Sequence, residues 1–178
     1  MPIESYLDRF PRIDPTAFVH ASAVVNGKVS IGAHSSIWPM VTIRGDVNEI
    51  RIGQSTNIQD GSVLHVTADS KYDPGGFPLI IGDHITVGHK VILHGCTIED
   101  YCLIGMGSII MDNVTIRTKA LIGAGSLVPP GKTLVGGGLW LGSPVKRIRS
   151  LTAQELKILE YSANHYVELK NTYLTSQS

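Results

Sequence analysis

Residues 97–128, TIEDYCLIGMGSIIMDNVTIRTKALIGAGSLV, place an aliphatic residue at every sixth position: Ile98, Ile104, Ile110, Ile116, Ile122 and Val128. Two residues before several of these stands a small one, as at Cys96, Cys102, Ser108 and Ala120. Towards the N-terminus the same spacing returns at Val19, Val25, Ile31, Ile37 and Ile43, then at Ile52, Ile58 and Leu64, and again at Ile81, Val87 and Leu93. Ser35, Thr56 and Val91 continue the accompanying row, and no charged residue enters either row. Glycine follows the aliphatic position directly at Gly32, Gly53, Gly82, Gly88, Gly105 and Gly123.

An amphipathic helix repeats near 3.6 residues and a half-buried strand repeats at 2. A period of six fits neither. It fits a coil with three short sides, each turned at a corner where glycine or another tolerant residue adopts unusual dihedrals. The aliphatic row then points inward and stacks on its equivalent one coil later. No coil can bury its own face alone, so the coils must hydrogen-bond to one another as parallel strands. The expected fold is an all-β solenoid, a parallel β-helix. Hexapeptides of this type resemble the left-handed β-helix of the hexapeptide-transferase superfamily, and the left hand is implied by that resemblance.

The repeat dissolves after Val128 into Pro129, Pro130 and Gly131, and Leu141-Gly142-Ser143-Pro144 makes a further turn. Thr152-Ala153-Gln154-Glu155 is a capping box that opens a helix. Leu156, Leu159, Ala163, Tyr166 and Tyr173 fall near one face of it. One domain is expected, with the β-helix and its N-terminal extension over 1–150 and a C-terminal α-helix over 151–178 packed on it.

Fifteen basic and fifteen acidic residues give a formal net charge of zero. That supplies no field for nucleic acid or an anionic membrane. No stretch approaches the roughly 20 apolar residues of a membrane span, and the N-terminal residues do not read as a signal peptide. Two cysteines without such a signal predict reduced thiols and a cytoplasmic location. Both lie in the small inward row, so each reads as a core residue.

The register breaks three times: three residues are added after Ile43, eleven after the hexapeptide of Leu64, and one is missing after Leu93. The long insertion is expected to leave the solenoid near Thr67 to Phe77 and to turn at Asp73-Pro74-Gly75-Gly76. A regular solenoid needs no breaks, so breaks mark where to look for function. Three hexapeptides make a coil, which stacks Ile43, Leu64 and Leu93 on one edge and their successors Arg44, His65 and His94 in one row, about 4.8 Å apart. His89 follows Val87 by two and sits on another edge, above Gln59 and Asp60. Threefold packing of such prisms brings one chain's first edge against its neighbour's second. The spacing therefore predicts an intersubunit site in an oligomer. Three histidines with an open fourth position are the donor set of a catalytic zinc, whose bound water ionises near pH 7. Arg44 and Asp60 could pair across the interface, and Gln59 could orient water or substrate.

Arg44-Gly45-Asp46, Asn57-Ile58-Gln59-Asp60, His65, Gly88-His89 through His94-Gly95, Gly105-Met106-Gly107-Ser108 and Leu141-Gly142-Ser143-Pro144 resemble the γ-class carbonic anhydrase family over nearly the whole chain. The resemblance implies a homotrimer with His65 and His94 from one subunit and His89 from the next. It implies zinc, with iron or cobalt as alternatives, and reversible hydration of carbon dioxide to bicarbonate. Gln59, Arg44, Asp46 and Asp60 become catalytic candidates, with Asn57 behind them. Tyr166 resembles a tyrosine that approaches the metal in small members. The chain departs from the best-studied type in two places. Val47 replaces a glutamate after Arg-Gly-Asp, and the insertion offers Asp69 and Asp73 where a proton-shuttling glutamate is usual. Another proton path or a slow enzyme follows.

Two other functions compete. Many acyltransferases share the repeat and use one histidine as a general base with acyl-coenzyme A. A trimeric module with a purely structural metal would also explain Val47 and the absent shuttle. His20, His34, His84 and His165 fit no common ligand geometry and read as surface or boundary residues.

Overall fold

The computed structural model describes residues 3–176; residues 1–2 and 177–178 of the two expected segments lie outside the described residues. The chain winds as a left-handed parallel β-helix of about eight turns and ends in one helix, α1, Ala153–Ser176. Most strands are two or three residues long, because each side of the coil is one hexapeptide less its corner.

Three aliphatic columns fill the interior. Ile43, Leu64, Leu93, Ile110 and Val128 stack in register on one face. Ile52, Ile81, Ile98 and Ile116 stack on the second, and Ile58, Val87, Ile104 and Ile122 on the third. Nearly all are fully buried. At about 1.5–3 kcal/mol for each buried aliphatic side chain, every coil adds stability only while its neighbours cover it. Cys96 and Cys102 sit in this core as free thiols. Burial pushes the Cys96 thiol far up and the Cys102 thiol up to about 12, so neither is a nucleophile.

The solenoid runs past the point where its spacing was expected to dissolve. Leu134 stacks on Ile116, and Trp140 stacks on Ile122, at the same six-residue step beyond Val128. Trp140 is not aliphatic, and the glycines between the two positions dilute the pattern. The last strand, Val145–Ser150, pairs antiparallel with Gly138–Gly142 and closes the end of the sheet. His34 and His84 occupy corners with left-handed φ of 59° and 55°.

Helix α1 opens on a reciprocal cap. The Thr152 hydroxyl accepts from Glu155 N at 3.1 Å, and Glu155 accepts from Thr152 N at 2.8 Å. Arg149 adds a two-pronged ion pair to the same carboxylate. Leu159 and Ala163 are buried, and Tyr166 and Tyr173 pack edge-on against Trp38. The helix thereby lies on the face made by Ser36–Ile37, Asn57–Ile58 and Thr86–Val87. Among the described residues no helix is long and apolar enough to cross a membrane.

Candidate metal centre

Strands Val63–His65 and Ile92–His94 pair in register, which sets His94 directly over His65. Their imidazoles meet with Nδ1 of His65 3.0 Å from Nε2 of His94. Each ring is held from its other side by a carboxylate. His65 Nε2 lies 3.1 Å from Asp46 Oδ1, and His94 Nδ1 lies 2.8 Å from Asp112 Oδ1.

These partners fix the tautomers. A carboxylate accepts the ring proton on its own side and leaves a lone pair on the opposite nitrogen. The two lone-pair nitrogens are therefore the two that face each other. At 3.0 Å they repel unless a proton or a cation lies between them. Two ligands of a tetrahedral zinc, each about 2.0–2.1 Å from the ion, stand about 3.3 Å apart. The donor set fits such a metal. Burial holds the His65 imidazole below its ordinary pKa, with Arg44 adding to the effect, and so favours the neutral ring a ligand must present.

Asp46 reaches His65 because of the first register break. The ladder between Thr42–Ile52 and Val63–His65 stops at Ile43 and Leu64, and the register against Val24–Ile31 jumps from Gly45 to Ile50, so Asp46 lies in the resulting bulge. Arg44, next after Ile43 in that ladder, stays beside His65 and forms an ion pair with Asp46. Burial raises the Asp46 carboxyl, but the hydrogen bonds from His65 and Arg44 outweigh it and hold the group ionised. The missing residue after Leu93 is absorbed at Gly95, where φ is +51°. The eleven-residue insertion forms the expected excursion, closed by a bridge between Thr67 and Phe77 and a turn from Asp73 to Gly76. Asp69 accepts from Gly75 N at 2.7 Å, so its carboxylate closes that turn.

His89 occupies the other edge of the same face. Its Nδ1 lies 3.0 Å from Asp60 Oδ2, leaving Nε2 with the lone pair. From His89 the chain turns a corner at Lys90, φ 55°, and then crosses the face as the strand Ile92–His94. The two imidazoles of one chain therefore keep different partners, Asp60 for His89 and His65 with Asp112 for His94. Accordingly, no three His, Cys, Asp or Glu side chains gather on a metal position among the described residues of a single chain.

Gln59, Asn57 and Tyr166 lie on the His89 edge. Gln59 Nε2 donates to Asn57 Oδ1 at 3.0 Å, and both residues are buried. The Tyr166 ring contacts Trp38, and burial together with the Asp60 charge raises its phenol pKa. Among the nominated residues the structure therefore groups Arg44, Asp46, His65 and His94 on one edge. It groups Asn57, Gln59, Asp60, His89 and Tyr166 on the other.

Asp112 escaped the reading of the sequence. It stands two positions after Ile110 rather than one, in a corner whose offset depends on the residue missing after Leu93, and Thr67 Oγ1 holds it at 2.6 Å.

The profile of the family described as "Bacterial transferase hexapeptide (six repeats)" matches residues 95–130. Protein YrdA of Escherichia coli (strain K12) is 57% identical over 97% of this chain and 94% of its own length. "Gamma carbonic anhydrase 1, mitochondrial" of Arabidopsis thaliana is 42% identical over 93% of this chain, which spans 60% of that longer protein. The crystal structure of a "putative acetyltransferase" of Bacillus cereus superposes with a TM-score of 0.90 at 43% identity, covering 99% of this chain and 98% of that one. "Carbonic anhydrase" of Geobacillus kaustophilus (strain HTA426) is 43% identical over 98% of this chain and 92% of its own length, and on that ground the chain belongs to the γ-class carbonic anhydrase-like family of hexapeptide-repeat proteins.

Proposed function

We propose that the protein is a homotrimeric, metal-dependent carbonic anhydrase that interconverts carbon dioxide and bicarbonate at sites shared between subunits. The observation that carries this reading is the path of two stacked strands. Each runs across one face from the Asp60–His89 edge to the Asp46–His65–His94 edge, so one face is bounded on both sides by complementary half-sites. Between them the outward side chains Val63, Ile92 and Ile109 form an apolar column, 38–41% exposed in the single chain. A neighbouring subunit covering that column brings its His89 towards His65 and His94.

His65, His94 and the partner subunit's His89 would hold zinc, with ferrous iron or cobalt as alternatives, and the ion would supply a Lewis acid that lowers the pKa of water towards about 7. The chain's own groups do the rest. Asp46, Asp112 and Asp60 keep each imidazole in the ligating tautomer. Gln59 offers its amide oxygen to a hydroxyl on water or bicarbonate. Arg44 adds positive charge beside the anionic product. Asp60, half exposed, and Tyr166 are the titratable groups on the rim of the His89 edge. The buried free thiols at Cys96 and Cys102 are in keeping with a cytoplasmic setting.

Stopped-flow carbon dioxide hydration, after anaerobic loading with zinc or with ferrous iron, tests the reading, with His94→Ala as the blank. Activity above the blank is expected. Silence with both metals at full occupancy sinks the catalytic part and leaves a trimeric metal-binding module.

The name of the Bacillus cereus neighbour favours a second reading, acyl transfer from acyl-coenzyme A. Titration calorimetry with acetyl-coenzyme A discriminates, and no heat is expected.

A further inference from the structure

A chain of four side chains joins the C-terminal helix to the candidate site. Ser162 Oγ on α1 lies 3.0 Å from Thr86 Oγ1, and either hydroxyl can donate in that link. Thr86 Oγ1 accepts from Asn57 Nδ2 at 3.0 Å. The same Asn57 nitrogen donates to the Ile85 carbonyl at a longer 3.3 Å, so the shorter bond to Thr86 is the main hold that turns Asn57 Oδ1 towards Gln59. Gln59 Nε2 donates to that oxygen at 3.0 Å. Asn57, Gln59 and Thr86 are each at most 5% exposed, so bulk water does not offer substitute partners.

We infer that Ser162 is a positioning residue: through Thr86 and Asn57 it sets which end of the Gln59 amide faces the site, and it thereby makes helix α1 part of that site. With Nε2 engaged at Asn57, Gln59 presents Oε1, which accepts no hydrogen bond among the described residues. An oxygen there accepts a hydrogen bond and cannot donate one. The site on this edge therefore suits a ligand that carries an O–H, as water and bicarbonate do. Losing the Ser162 hydroxyl leaves Thr86 Oγ1 free to rotate, weakens its hold on Asn57, and lets the Gln59 amide turn over. Thr86 and Ser162 are 76 positions apart, and only the docking of the helix brings them together.

The inference rests on the proposed function only for its catalytic consequence, so the test has two readouts. The first is the Gln59 side-chain amide signal in selectively 15N-glutamine-labelled protein, identified by its loss in Gln59→Glu. Ser162→Ala should shift or broaden that signal while trimer mass and metal content stay unchanged. Ser162→Thr should restore it, and the isosteric Thr86→Val should move it further. The second is carbon dioxide hydration, where Ser162→Ala should lower kcat and kcat/KM together by about fivefold, as for loss of one hydrogen bond acting in the transition state. An unchanged Gln59 signal in both Ser162→Ala and Thr86→Val overturns the inference. A wild-type protein with no hydration activity overturns the proposed function instead, and the amide signal still decides the role of Ser162.

Discussion

Asp112 Oδ1 holds Nδ1 of His94 at 2.8 Å and is itself held by Thr67 Oγ1 at 2.6 Å. The insertion, the upper coil and the candidate ligand are thereby locked together. A carboxylate behind a ligating histidine fixes its tautomer and raises its basicity, and losing one typically costs 10–100-fold in metal affinity. Asp112→Asn should therefore weaken zinc binding by about that factor with the trimer intact. Competition against a chromophoric chelator measures it, and unchanged affinity would remove Asp112 from the centre.

His89 and His94 should complement each other only across subunits. His89→Ala and His94→Ala proteins should each lack metal. Co-refolded at equal amounts, they should regain about one quarter of the sites, since a site needs one variant on one side and the other variant on the opposite side. Metal content per trimer reads this directly. No recovery on mixing would place all three ligands in one chain.

Ile92 is 40% exposed in the middle of the apolar column between the half-sites. Ile92→Asp puts a charge where the neighbour should pack, and an unpaired buried charge costs several kcal/mol. Light scattering should show a monomer near the chain mass of 19.2 kDa, with metal binding lost in parallel.

Gly95→Ala should strain the corner and the site together. The backbone is at φ +51°, and an added Cβ would lie 2.3 Å from Asp112 Oδ1 and 2.8 Å from Phe77 Cβ. Strain of this kind costs of order 1–3 kcal/mol. Thermal unfolding should shift down and zinc affinity should fall as Asp112 is displaced. A variant with unchanged affinity would show that Asp112 has room to move.

The helix cap should fail in acid. Hydrogen bonds from Arg149 and Thr152 hold the Glu155 carboxyl at about 2, against an ordinary 4.5. A folded pKa below the unfolded one stabilises above the unfolded value, and that contribution is lost as pH falls through the folded one. The cap's contribution should therefore be complete above about pH 4.5 and fade down to about pH 2. Circular dichroism melts of wild type and Glu155→Gln should converge across that window. Curves that stay parallel would mean the cap is not coupled to unfolding.

The six-residue spacing sufficed for the solenoid, because stacked coils demand one inward aliphatic residue per side and nothing else produces that period. It also sufficed to stack His94 over His65, since register follows from counting hexapeptides. The capping box at Thr152 and Glu155 was equally legible, being a purely local contact. Counting missed Leu134 and Trp140, where glycines and a tryptophan blurred the row. It put Arg44 beside His65, where the structure keeps it, but gave no sign that the bulge after Gly45 brings Asp46 onto the same ring.

What the sequence by itself determined was therefore everything set by neighbours in the chain and by a constant period: the coil, its core, the two histidine edges and the helix. The tertiary structure decided which carboxylate stands behind which imidazole, and how Ser162 reaches Thr86. Those contacts join segments 18 to 76 residues apart at irregular corners, and their geometry depends on how insertions and deletions bend the backbone, which no repeat encodes.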